Sequence, residues 1–232
     1  MNVLRLMGRE LRDLFYPDVC VTCRRPLVRG ENTLCSYCLN DLPLTGSETE
    51  QDNAVSRLFW GLVPIAHAAA LFYYRKGSRY HALLHRLKYR GDTEIGVRMG
   101  YYLGTRLLQT PFAGADALMP VPLHPRKLRQ RGYNQSRVIA DGLSRALLLP
   151  VVDGVLMRTG EAVTQTHSGR RERFEHVSDH FVLTDEAPLR NRHIILVDDV
   201  VTTGATISAC AEALCKIPGI TVSVAALAVA AE

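Results

Sequence analysis

The chain lacks several signatures, and each absence narrows what it does. No G-x-x-x-x-G-K-[ST] occurs, which excludes a Walker A nucleotide site, and no G-x-G-x-x-G follows a strand, which excludes a dinucleotide fingerprint. A secretory signal needs a continuous apolar core, but Met1 to Phe15 is broken by Arg5, Arg9, Glu10, Arg12 and Asp13. The longest late apolar run, Val222 to Ala231, is too short to span a bilayer. A cytoplasmic protein is expected. Tryptophan occurs once and aromatics make up 7% of residues, with no clear alternation of aromatic and basic positions. The signal for binding single-stranded DNA is therefore weak. Charge of neither sign dominates: Lys and Arg number 28 against 23 Asp and Glu, for a net +5. That balance suits anionic ligands without choosing among them.

The apolar share of 47% is enough for a sizeable core. Strand-like runs at His67–Tyr74, Ala117–Val121, Val155–Met157, Ile194–Val197 and Thr221–Val229 alternate with helical patterns. The helices are expected over Tyr80–Tyr89, around Ile95, Met99, Leu103 and Leu107, and from about Asn134 to Leu147. Such alternation predicts an α/β domain with a mostly parallel sheet flanked by helices. Gly46 to Arg57 is polar and aperiodic and reads as a linker, so the expected division is 1–45, 46–57 and 58–232. Met1 to Phe15 patterns as an amphipathic helix that docks on the main domain, or binds a partner or a membrane surface.

The richest stretch is His193-Ile-Ile-Leu-Val-Asp-Asp-Val-Val-Thr-Thr-Gly-Ala-Thr206. An apolar strand ends in two adjacent carboxylates, and a hydroxyl-rich turn leads into a helix marked by Ile207, Cys210, Ala211 and Leu214. Backbone N–H groups at a helix start suit a phosphate, and Gly204 permits close approach. Thr202, Thr203 and Thr206 add hydroxyl donors. Asp198 and Asp199 beside such a cradle would repel the anion unless they bound something else. Sugar hydroxyls, directly or through a divalent cation, are the natural partners, so the expected ligand is a sugar phosphate with a free vicinal diol. Cys210 and Cys215 lie on the following helix and read as small apolar packing residues.

A second anion-binding stretch runs from Pro120 to Arg137 and carries Arg126, Lys127, Arg129, Arg131 and Arg137 without an acid. It is expected as a loop between strand and helix, at the ligand edge of the sheet. Guanidinium forks suit phosphate oxygens, and a pyrophosphate leaving group needs cations aimed at its growing charge. A third polar and basic stretch, Gln165 to His176, contains His167, a candidate acid or base.

Cys20-x-x-Cys23 and Cys35-x-x-Cys38 are two close thiolate pairs separated by eleven residues. Four soft ligands in a tetrahedron are what structural zinc prefers, and Gly30 with Glu31-Asn32-Thr33 supplies the turn that brings the pairs together. A small zinc-ribbon-like module held by its metal is expected, with no open coordination position for a substrate.

The Asp-Asp-Val-Val-Thr-Thr-Gly-Ala-Thr string resembles the signature of type I phosphoribosyltransferases, which bind phosphoribosyl pyrophosphate (PRPP). Together with Pro-Val-Pro-Leu-His, Arg-Gln-Arg-Gly-Tyr-Asn-Gln-Ser, Leu87-Lys88-Tyr89-Arg90-Gly91 and the cysteine pairs, it resembles the ComF family, also called GntX-like, over nearly the whole chain. The resemblance implies a phosphoribosyltransferase domain behind a zinc module, with magnesium accompanying PRPP. It implies that Asp198 and Asp199 hold the ribose diol, that Thr202, Thr203, Gly204, Ala205 and Thr206 hold the 5-phosphate, and that residues 165–176 form a hood. Family members are associated with competence, DNA uptake or use of external DNA. Purine-type members often carry an Asp where Thr202 stands, so oxopurine salvage is not expected. Three functions stay open: pentosyl transfer from PRPP, binding of single-stranded DNA or a DNA-translocation protein, and PRPP sensing without turnover.

Overall fold

The computed structural model describes residues 18–159 and 180–231. The Met1–Phe15 pattern and the Gln165–His176 stretch lie outside the described residues. Four strands form one parallel sheet: β1 (Ala68–Tyr74), β2 (Ala117–Pro120), β5 (His193–Val201) and β6 (Thr221–Ala230), in the order β1-β6-β5-β2. The register sets Ala68 opposite Val224, Ile194 opposite Val222, and Ala117 opposite Ile194. Strands covered on both faces need apolar side chains in both directions, and Val222 to Val229 are all buried. A two-stranded antiparallel ribbon, β3 (Leu156–Thr159) with β4 (His180–Leu183), lies apart from the sheet.

The pleat sorts the core into two layers. Ala69, Leu71, Leu118, Ile195, Val197, Ala225 and Leu227 face helices α2 (His81–Tyr89), α3 (Thr93–Leu107) and α5 (Gln135–Leu147). Ala68, Ala70, Met119, Ile194, Leu196, Val224 and Ala226 face helix α6 (Ala205–Leu214) and the segment bearing Phe59. Helix α3 contributes Ile95, Met99, Leu103 and Leu107, at the spacing the sequence shows.

Helices α3 and α5 meet along a glycine seam. A Cβ at Gly100 would lie 2.3 Å from the carbonyl oxygen of Ile139, and one at Gly142 would lie 2.1 Å from that of Val97. Only glycine permits so close an approach, and the seam fixes where α5 begins.

The polar stretch 46–57 owes its composition to the edge of the sheet. Strand β1 is an edge strand whose outer backbone groups need partners. Ser47 Oγ accepts from Ala70 N at 2.9 Å, Asn53 Nδ2 donates to Ala68 O at 3.0 Å, and Thr45 N donates to Leu71 O at 3.1 Å. Asn53 Oδ1 in turn accepts from Val55 N and Ser56 N, which starts a short 3-10 turn at Ser56–Phe59. The cysteine module (residues 18–42), which carries the short helix α1 (Ser36–Asn40), shares the first core layer: Cys20, Leu34, Cys38 and Leu42 are buried in the same cluster as Leu83 and Met99.

The basic stretch after β2 differs from the expected loop. Pro125–Arg131 forms helix α4. Pro125 sits in its first turn, His124 Nδ1 accepts from Arg126 N at 3.1 Å, and Gly132 ends it at φ 83°. Proline at the start and a left-handed glycine at the stop are the usual helix punctuation, which a count of charges overlooks.

Candidate functional site

Strand β2 stops at Pro120, opposite Val197, while β5 runs on to Val201. Asp198 and Asp199 therefore sit where β5 has lost its neighbour on that side. Helix α5 fills the gap: its N-cap Asn134 accepts from Ser136 N and donates to Val121 O, and Ser136 Oγ donates to Asp198 Oδ1 at 2.9 Å. The Asp199 N–H donates to the same oxygen at 2.8 Å. Lys88, near the end of α2, places Nζ 3.0 Å from Asp199 Oδ2. Loss of water around Asp198, reinforced by the negative charge of Asp199, pushes its carboxyl up to about 7 despite these donors and Lys88. Two carboxylates facing one ammonium leave a surplus negative charge, which fits a cation or a diol at this tip.

Beyond the acids the chain turns into α6. Gly204 is the N-cap, in the left-handed region at φ 77°, and a Cβ there would sit 3.0 Å from the ring edge of Phe59. The first turn of α6 holds no acid, and Ala205 N makes a long 3.4 Å contact to Thr203 Oγ1. N–H groups at such a helix start are an arrangement suited to phosphate. Thr202, Thr203, Gly204, Ala205 and Thr206 line a recess of about 40 Å³ that also touches Asp198.

Thr202 and Thr206 also line a cleft of about 550 Å³ together with Asp198 and Asp199. Lys127 and Arg131, one helical turn apart on α4, line the same cleft, as do Arg158, Gln135 and Ser136. The twin-acid tip and part of the basic stretch thus share one crevice. Arg126 and Arg129 do not line it, because they fall elsewhere on α4, and Arg137 is engaged by Asp141 and Asp153, each at 2.9 Å. Four rings rim the cleft in sequence: Tyr74 to His81 at 6.0 Å, His81 to His85 at 5.7 Å, and His85 to Tyr89 at 5.1 Å. The Arg131 guanidinium lies 5.4 Å from the centre of the Tyr89 ring. A larger groove of about 700 Å³ runs between the cysteine module and α3, but its acids are already engaged: Glu31 accepts from Ser36 and Glu94 pairs with Arg98.

Sequence reasoning assigned no role to Lys88, Ser136, Gln135, His81, His85 or Tyr89. Lys88 and Tyr89 fall in the Leu87–Gly91 motif, and Ser136 stands two residues after Asn134, where a helix is expected to begin. Those signals exist, but only the docking of α2 and α5 brings them to the acids.

The four cysteine sulfurs of the N-terminal module lie within 4.8 Å of one another. Tetrahedral zinc thiolates require sulfurs about 3.8 Å apart, so Cys20, Cys23, Cys35 and Cys38 could hold a zinc ion. Cys20 is drawn down to about 6: burial raises it, but the backbone N–H groups of Cys23, Cys35 and Thr22 outweigh that. Cys38 is pushed up by burial and by the neighbouring thiols, so a second and third thiolate need a cation to form.

These features define an α/β protein with an acid-tipped parallel sheet, a threonine–glycine turn at the start of a helix and a four-cysteine module. The chain belongs to the ComF family of DNA-utilization and competence proteins. It is 30% identical over 229 residues to the DNA utilization protein YhgH of Escherichia coli O157:H7, covering 91% of this chain and 96% of that one. It is 33% identical over 227 residues to competence protein F of Haemophilus influenzae, covering 88% and 93%. Competence protein ComFC of Bacillus subtilis is 26% identical over 207 residues, covering 87% and 80%. No family model matches the chain. Among solved structures it is similar to a purine phosphoribosyltransferase from Pyrococcus horikoshii Ot3 (TM-score 0.36, 18% identity, 58% of this chain and 73% of that one). An adenine phosphoribosyltransferase from Leishmania tarentolae gives a TM-score of 0.40 at 14% identity, covering 78% and 89%. No helix among the described residues is long and apolar enough to cross a membrane.

Proposed function

We propose that this chain binds PRPP, or another ribose phosphate, and that with PRPP it acts as a phosphoribosyltransferase in the cytoplasm. The observation that carries the reading is the single cleft shared by Asp198, Asp199, Thr202, Thr206, Lys127 and Arg131. The two acids take the 2- and 3-hydroxyls, and the turn from Thr202 to Thr206 takes the 5-phosphate. Lys127 and Arg131 face the diphosphate. In the transfer an acceptor lone pair bonds to C1 while the C1–O bond breaks, and its electrons leave with pyrophosphate. Charge grows on that leaving group, so fixed cations beside it lower the barrier. Asp198 and Asp199 would hold magnesium, which would supply positive charge to offset the charge growing on the leaving group. Zinc in the cysteine module is structural. Thr202 offers no acid–base capacity near neutral pH, so the acceptor must arrive ready to attack, or the site senses PRPP without turnover.

A second reading concerns DNA. The names of the curated relatives point to DNA utilization and competence, and the ring series from Tyr74 to Tyr89 with Lys88 and Arg131 suits single-stranded DNA, whose bases stack and whose phosphates pair with cations. On that reading the chain works beside a DNA-translocation protein.

Calorimetry with magnesium and PRPP tests the first reading: the wild-type chain binds, and the variant carrying both Asp198→Asn and Asp199→Asn does not. Unchanged affinity in the double variant rejects the assignment. Pyrophosphate release against a panel of nucleobases, with and without single-stranded DNA, then separates transfer from sensing. A DNA affinity that falls steeply with salt supports the second reading, and a flat response counts against it.

A further inference from the structure

Helix α2 reaches from the cysteine module to the acid pair. Tyr80, the residue just before it, is 4% exposed and forms its N-cap. The Tyr80 hydroxyl lies 3.0 Å from the carbonyl oxygen of Cys38 and 3.2 Å from Asp41 Oδ2. Cys38 belongs to the four-cysteine cluster, and its carbonyl lies in the last turn of α1, where helix carbonyls lack a partner within the helix. Burial, with the charge of Asp41, pushes the phenol up, so Tyr80 keeps its proton and donates. Arg79 adds an ion pair to Asp41 at 3.2 Å, but both side chains are half exposed and the pair holds little. At the far end of α2, Lys88 places Nζ 3.0 Å from Asp199 Oδ2, and Tyr133 donates to the Leu87 carbonyl. Between these ends His81, Leu84, His85 and Tyr89 line the cleft.

A helix of 9 residues is a rigid spacer of about 12 Å. The Tyr80 hydroxyl fixes where α2 starts, and the start fixes the rings and Lys88 further along. A shift of the Cys38 backbone therefore reaches Asp199 through one side chain and one helix. The sulfur and the carbonyl of Cys38 lie on the same residue, so a metal that holds the first also holds the second. We propose that Tyr80 is a positioning residue for the cleft, and that its bond to the Cys38 carbonyl ties ligand affinity to the metal state of the four cysteines. The ligand is that of the PRPP reading above, on which this inference rests. Filled with zinc, the module holds α2 in the setting that binds; without zinc, it lets that wall of the cleft drift. By reciprocity, a ligand in the cleft tightens zinc by the same factor.

The test compares the full wild-type chain with Tyr80→Phe, both loaded with zinc. Phenylalanine keeps the ring and its contact with Phe72, 6.4 Å between centres, and removes only the hydroxyl. Calorimetry with magnesium and PRPP should show affinity lowered about 5- to 20-fold in the variant, with zinc still at about one per chain. Zinc affinity is read by competition with a chromogenic chelator. In the wild type, saturating PRPP should raise it by about the same factor, whereas in Tyr80→Phe it should stay within about twofold. The double variant Asp198→Asn with Asp199→Asn corrects for zinc drawn off by free PRPP. A fold merely weakened by the lost hydroxyl would be less stable in urea yet keep the linkage between PRPP and zinc. Wild-type PRPP affinity in Tyr80→Phe overturns the inference, as does linkage that survives in the variant. If PRPP does not bind the wild type, the PRPP reading falls, and hydrogen exchange then decides on the link. Residues 81–89 should exchange about 5-fold faster or more in zinc-loaded Tyr80→Phe, and unchanged protection there overturns it.

Discussion

Asp198→Asn should separate the stability of the empty fold from ligand binding. The folded chain holds the Asp198 carboxyl at about 7 against an ordinary value of 3.8, because burial and Asp199 both disfavour its charge. A pKa raised in the fold means that stability is full below the unfolded value and declines as pH rises from there to the folded value. At about 1.4 kcal/mol per pH unit, the ionised group costs the wild type on the order of 2–4 kcal/mol above pH 7. Asparagine keeps an oxygen for the Ser136 hydroxyl and the Asp199 N–H, the two bonds that Asp198 Oδ1 now accepts. The variant should therefore be more stable than wild type in urea at pH 8. The gap should shrink by about 2 kcal/mol at pH 5 and stay flat above neutrality. In the same samples, binding of magnesium and PRPP should disappear. A variant less stable than wild type at pH 8, or a gap independent of pH, refutes the claim that the carboxylate pair is held against its electrostatic preference.

Lys88→Met removes a charge that draws the Asp198 carboxyl down. The pH midpoint for binding magnesium and PRPP should move upward, as measured by calorimetry across pH 5.5 to 8.5, and a midpoint that falls contradicts the ion-pair geometry. Gly142→Ala sets a methyl against the Val97 carbonyl oxygen. It should cost about 3 kcal/mol in denaturant and weaken ligand binding, since overpacking at a backbone contact shifts the helix that carries Ser136. Cys38→Ala leaves three thiols, so metal analysis should show zinc lost from about one per chain. Because Cys38 shares a buried cluster with Leu83 and Met99, hydrogen exchange should rise in α2 and α3 as well as in residues 18–42. Protection unchanged in the helices would mean that the module unfolds alone.

The strands and the acid pair were legible in the sequence because their signals are local. An apolar run, two carboxylates, a threonine–glycine turn and an amphipathic helix follow one another within about 20 residues, and each needs only its neighbours to be recognised. The cysteine pairs are equally local, since spacing alone brings sulfurs together. What stayed hidden depends on contacts between distant segments. Residues 46–57 look like a linker by composition, yet Ser47 and Asn53 satisfy the edge of a strand some 15 to 23 residues later in the chain. A polar side chain that serves a backbone reads the same, in a bare sequence, as one that serves water. Lys127 and Arg131 of the basic stretch line the cleft with the acid pair and Arg126 and Arg129 do not, and the stretch is a helix rather than the expected loop, because Pro125 and Gly132 mark a helix more strongly than five cations mark a loop.

The site shows the same division in its most consequential form. The chemistry attributed to β5 draws in residues from α2, α4 and α5, and the placement of α5 follows from glycines that carry no chemistry. Gly100 and Gly142 let α5 approach α3 until backbone meets backbone. That approach sets the start of α5, and the start of α5 sets Ser136 against Asp198 and Gln135 beside Arg131. Substitution in the seam should then perturb ligand binding without touching a ligand contact, whereas substitution at Arg126 or Arg129, charged but outside the cleft, should not. The charge count ranks those two arginines level with Arg131. The geometry separates them, and comparing Arg126→Gln with Arg131→Gln in PRPP calorimetry decides which ranking holds.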